Sequence, residues 1–180
     1  MNKALTTSLS VPLYKQLEQT IGAISRYLAW INLALIAVIV LQVILRKVFS
    51  NGQIALEELQ WHLYATAVMF GTAYAQVSNL HVRVDLFYHK FSARTKAIVD
   101  LFGIACFALP FVVIVIVHSY DFAYESWRVN ERSASPSGLD YRWLIKSVIP
   151  VSFSVLFFAL IAKVLRSINT IKEGANDGSE

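Results

Sequence analysis

Four stretches of the chain run without a charged residue: Tyr27 to Leu45 (19 residues), Leu59 to Val82 (24), Leu101 to Tyr120 (20) and Ser147 to Ala162 (16). A hydrocarbon layer ~30 Å thick takes ~20 helical residues at ~1.5 Å each, so the first three can cross it as they stand. The fourth crosses if Trp143 and Leu144 join it and Lys146 and Lys163 stretch their stems toward the headgroups. Apolar positions within the runs are continuous and do not alternate, which predicts helices and argues against barrel strands. The first run is expected to stay in the mature protein, because it is too long for a signal-peptide core and is followed by Arg46 and Lys47, with no small-residue cleavage site.

Ahead of the first run, Leu13, Leu17, Ile21, Ile24 and Leu28 recur at helical spacing, while Lys15, Gln16, Glu18 and Gln19 fill the other positions. Ser10 can cap this helix and Pro12 suits its first turn. Such a helix can lie along the membrane surface, pack on another subunit, or extend the first span, and periodicity does not separate these. The predicted fold is an all-α integral membrane protein with four transmembrane helices and an N-terminal amphipathic interfacial helix. Its expected organisation is a cytoplasmic segment over 1–26, a membrane domain over 27–168 and a flexible cytoplasmic tail over 169–180, where Gly, Asn, Asp, Ser and Glu collect.

Composition agrees with a membrane assignment: 56% of residues are hydrophobic and 16% charged, against ~45–50% and ~25% for soluble domains. Disorder is excluded, and the single cysteine, Cys106, removes intramolecular disulfides and cysteine-based metal sites. Ten of the 16 Lys and Arg residues fall at the two ends and in the loop from Arg83 to Ala97, and six fall on the opposite side. That bias predicts that both termini are cytoplasmic. Trp61, Tyr64, Tyr120, Tyr124, Trp127, Tyr141 and Trp143 then form an outer aromatic belt.

A charge at the bilayer midplane costs ~2.5–3.5 kcal/mol on insertion scales and is usually kept for ions, protons or substrate. This chain keeps none, which disfavours an autonomous proton-coupled transporter, and paired Gly and Pro breaks that would suit a sodium site are not evident. Glu57 and Glu58 are adjacent, point ~100° apart on a helix and suit the first turn of the second span, where the helix dipole favours carboxylates. His62 and His118 both fall toward the outer face, so a haem-carrying membrane anchor of a redox complex is the alternative function; the plainer reading is two histidines at a wet interface. Ala67, Gly71 and Ala75 make a smooth stripe for close helix packing, which predicts that the second span is central. Pro110 should bend the third span, and Pro150 should either kink the start of the fourth or sit close to its first turn. Catalysis is not indicated, and on the main reading no cofactor or metal site is expected on this chain.

Glu57 and Glu58 opening the second span, Gly71, Ala73 and Tyr74 within it, and the run His81, Val82, Arg83, Val84 and Asp85 leaving it resemble the DctQ-type small permease subunit of TRAP (tripartite ATP-independent periplasmic) transporters. Ser126 and Trp127, Glu131, Ser135 to Leu139, Tyr141, Trp143, Ile149 and Pro150 are similar to that family's outer loop and last helix. The resemblance implies a small, non-translocating subunit, in a bacterial inner membrane, of a sodium-driven importer of an organic acid. Its implied partners are a large elevator-type membrane subunit, which holds the substrate and sodium sites, a periplasmic substrate-binding protein, and membrane lipids. The substrate itself is beyond this chain's residues. The loop from Asp121 to Lys146 carries four acids and four bases, and Glu125, Arg128, Glu131 and Arg132 are candidates for docking the binding protein, against the plainer reading of a hydrated loop. His81, Arg83 and Asp85 read as an inner anchor, Arg83 to a lipid phosphate or subunit carboxylate and Asp85 as a cap.

Overall fold

The computed structural model describes residues 13–78 and 92–176, so His81, Arg83 and Asp85 lie outside the described residues. The described residues form helices and connecting turns without a strand: α1 Leu13–Leu28, α2 Ile31–Lys47, α3 Ile54–Val77, α4 Ala93–Gly103, a π-helical segment Ile104–Ala108, α5 Leu109–Arg128 and α6 Trp143–Asn176. Three stretches are long and apolar enough to cross a membrane: Leu13–Lys47, Thr95–Arg128 and Trp143–Ile171. The chain is therefore an all-α membrane protein.

Two features depart from the expected four spans plus an interfacial helix. The first is α1, whose apolar face is partly covered by this chain itself: Ile21 is buried against Ala73 of α3 and Ala159 of α6, flanked by Val77, Val155 and Leu156, while Leu13 and Ile24 stay exposed. An ion pair from Glu18 to Arg166 of α6, at 3.5 Å, holds the same helix. α1 joins α2 through a tight turn at Ala29 and Trp30, where hydrogen bonds shorten to Trp30 N–H to Tyr27 O (3.2 Å) and Asn32 N–H to Ala29 O (3.0 Å). The second is α3, which at 24 residues is long enough to span but carries Gln60, His62, Thr66, Thr72 and Gln76, and so falls outside the three strongly apolar stretches.

Two helices are central: α6 packs against α1, α3, α4 and α5, and α3, the helix carrying the small-residue stripe, packs against α1, α2 and α6. Small side chains make this possible, since Ser152, Ala159, Ala162 and Ser167 of α6 are buried and let neighbouring backbones approach. A second apolar cluster, built on Ile104, Val112 and Leu160 with Phe153 and Phe157 beside it, seats α5 on α6. Near the other end of α6, Lys163 pairs with Asp100 of α4 at 3.5 Å, both half-buried.

Pro110 acts through the segment before it. Proline has no N–H to give to the carbonyl of residue 106 and its ring crowds that oxygen, so a regular turn is unavailable there. The chain widens instead, with Leu109 N–H donating to Ile104 O across a π turn over Ile104–Ala108. Pro150 lies inside α6, and nearby hydroxyls bond back onto the backbone, Ser154 Oγ to Pro150 O and Ser152 Oγ to Ile149 O. α6 runs on to Asn176, through the first part of the segment expected to be a flexible tail.

Candidate functional site

The most constructed part of the molecule is the loop between α5 and α6, residues 129–142, together with the first turn of α3. Glu57 sits in that turn, as expected, whereas Glu58 follows it one residue beyond, and the two diverge. Glu57 is exposed, while Glu58 turns onto the loop. One carboxylate oxygen of Glu58 accepts from the Ser133 hydroxyl, and the other accepts from Leu139 N–H at 2.7 Å. Ser133 N–H donates to Leu139 O at 3.2 Å, which closes the loop across its base, and Gly138 N–H donates to Ser135 O at 3.0 Å. Gly138 is required for this closeness: a Cβ there would overlap the Ser133 side chain and come within 2.8 Å of Glu58 Oε2. The Ser133 hydroxyl and then the Leu139 amide hold the Glu58 carboxyl below its ordinary range, with Arg142 adding to the effect.

Two left-handed residues set the ends of the loop. Asn130 (φ 47°) stops α5 in a Schellman arrangement, with Glu131 N–H to Ser126 O and Asn130 N–H to Trp127 O, both 3.0 Å. Tyr141 (φ 61°) is a bulky residue in the same region, which costs on the order of 1–3 kcal/mol and persists because neighbours fix it. Arg142 N–H donates to Glu131 O at 3.1 Å beside it.

The four docking candidates divide. Glu131 is engaged internally: its carboxylate takes the Lys146 ammonium, which also lies 4.0 Å from the centre of the Phe122 ring, and Lys146 holds the Glu131 carboxyl below its ordinary range. Glu125 and Arg128 form an exposed pair in which Glu125 Oε2 accepts from Arg128 Nε at 3.0 Å and from its terminal nitrogen at 2.6 Å. Arg132 stands exposed, 3.6 Å from Asp140. The result is a backbone pinned at Glu58 with paired charges displayed above it, an arrangement suited to recognition. The sequence reading did not single out Ser133, Gly138, Leu139 and Lys146 as a site; the Ser-Pro-Ser-Gly run over 135–138, rich in turn residues, is the signal that could have found it.

Elsewhere, His62 lines a cavity of about 340 Å³ with Thr66, Asp140 and Tyr141. His118 Nδ1 lies 2.9 Å from Ile114 O on its own helix. α3 and α5 each pack on α6 and not face to face, so the two histidines do not flank a common space and the haem reading gains no support. Among the described residues no group of three His, Cys, Asp or Glu side chains converges as a metal site would. Along the expected packing stripe, Ala67 and Gly71 border a cavity beside the α1–α2 turn, and a Cβ at Gly71 would meet nothing within 4 Å. The tight contact of α3 is at Ala73, 0% exposed, on another face from the Ala67, Gly71 and Ala75 stripe.

No curated protein matches the chain. Residues 35–170, most of its length, match the protein family described as "Tripartite ATP-independent periplasmic transporters, DctQ component". That stretch contains both Glu58 and the Ser133 to Leu139 turn it pins, as well as α3, α5 and nearly all of the apolar part of α6. A match of this extent on an all-helical membrane chain means that the protein belongs to the DctQ family, the small membrane component of TRAP transporters.

Proposed function

We propose that this chain is the non-translocating membrane subunit of a sodium-driven importer, bracing a large elevator-type subunit that carries the substrate and sodium sites. In this reading α3 is a fourth membrane helix sheltered by α1, α2 and α6, both termini are cytoplasmic in a bacterial inner membrane, and the pinned loop over 129–142 faces the periplasm. The cargo is an organic acid delivered by a soluble binding protein, for which exposed Arg128, Glu125 and Arg132 supply a charge-patterned landing surface.

The observation that carries the proposal is the uncovered apolar surface of the helices. Leu33, Ile36, Val40 and Val43 on α2, with Val113 and Val117 on α5, remain exposed, and the runs that hold them contain no charge. Such faces have nothing with which to coordinate an ion or acid, and suit contact with lipid or another membrane protein. Liposome reconstitution tests the assignment. The chain alone is expected to give no sodium-dependent uptake; the chain with the large subunit and the binding protein is expected to give it. Flux through this chain alone would end the proposal.

A further inference from the structure

We propose that the cavity beside the α1–α2 turn binds the phosphate of an anionic membrane phospholipid. The cavity is about 260 Å³, lies between that turn and α3, and is bordered by Ser25, Arg26, Asn32, Phe70, Gly71 and Tyr74. Its only charge is the Arg26 guanidinium, and among the described residues no carboxylate pairs with it. A guanidinium presents N–H donors in a fork that matches two phosphate oxygens, and it keeps its charge at any physiological pH.

Ser25 is the second observation. Several helical hydroxyls return their proton to a carbonyl one turn back, as Thr20 does to Gln16, Thr66 to His62 and Thr170 to Arg166. The Oγ atoms of Ser25 and Ser126 are buried without a hydrogen-bond partner, and of these two only Ser25, 6% exposed, borders this cavity. A shielded hydroxyl without an acceptor is costly, and a phosphate oxygen beside Arg26 would satisfy it. Gly71 supplies the room, since the space where a side chain would stand is open.

The source of the phosphate follows from the surroundings. Tyr27 and Trp30, 83% and 68% exposed, flank the turn as aromatic residues do at headgroup depth. From there the exposed Leu33 and Ile36 of α2 continue an apolar track on which an acyl chain can lie. Basic pockets between membrane helices are established places for anionic headgroups. A free phosphate would use the donors but not the track.

The test is native mass spectrometry of the detergent-solubilised full chain titrated with dioctanoyl phosphatidylglycerol, dioctanoyl phosphatidylcholine or sodium phosphate. Phosphatidylglycerol should be retained in preference to phosphatidylcholine. Arg26→Gln should weaken its retention about tenfold, and Gly71→Leu should do the same by filling the recess with the charge intact, so the two variants reach one outcome by separate routes. Lys15→Gln, which removes an exposed charge from the same helix, should leave binding as it was. Equal retention of the two lipids, displacement of phosphatidylglycerol by equimolar phosphate, or a loss in Lys15→Gln as large as in Arg26→Gln would overturn the proposal. None of these readings depends on whether the chain supports uptake.

Discussion

At Gly138 a single missing Cβ lets Ser133 and Glu58 meet. Gly138→Ala should force the Ser133 side chain aside and destabilise the loop by about 1–3 kcal/mol, the usual cost of overpacking. Most of that penalty should vanish when Ser133→Gly is made in the same chain, and a double-mutant cycle on thermal unfolding measures the difference. Glu58→Gln should remove a charge-assisted acceptor and raise the mobility of a nitroxide label at Ser137, carried in a Cys106→Ser background. The sign of the pH response follows from the depressed folded-state pKa of Glu58. The stabilisation is complete above the ordinary carboxylate value of ~4.3 and is lost as pH falls through the lower folded value, so label mobility should rise only on acidification. Little of this site was readable beforehand. The sequence placed Glu57 in the first turn of α3, where it lies, but the Glu58 contacts span 75 and 81 residues, and such contacts leave no trace in spacing.

The elements themselves were more legible, because a helix in an apolar medium must satisfy its own backbone and writes that need as an unbroken apolar run. Pro110 was expected to bend its helix, and the structure widens the turn before it. In Pro110→Ala the restored N–H should let Ile104–Ala108 return to α-helical bonding and rotate Cys106 by about one residue position, ~100°. Labels on Cys106 and on an exposed α6 position would report that as a distance change; an unchanged distance would show that the π turn does not depend on the proline. The spacing of Leu17, Ile21 and Ile24 gave the amphipathic face of α1 but not what covers it. Ile21→Ala should cost about 2–4 kcal/mol by opening a void between Ala73 and Ala159, and should raise protease cleavage at the α1–α2 turn. The central place of α6 was hidden for a related reason: Ser152, Ala159 and Ala162 are separated by seven and three residues, and small residues mark a contact without naming the partner.

On the proposed function, the loop over 129–142 should govern encounter with the binding protein more than the strength of the final complex. Reversing Arg128 and Arg132 together should slow binding-protein-dependent uptake several-fold at low ionic strength and much less at 0.15 M salt, where the screening length is ~8 Å. Stopped-flow association at the two salt concentrations separates these cases, and identical rates in variant and parent at low salt would remove the loop from docking. The position of α6 has a temporal meaning as well. α1 and α3 touch each other, α4 and α5 are consecutive, and it is α6 that joins both groups, through Arg166 to Glu18 and Lys163 to Asp100. A ribosome makes α6 after the other described helices. Until it emerges, the two earlier groups share the bilayer without the helix that binds them to each other, and the fold closes only on its arrival.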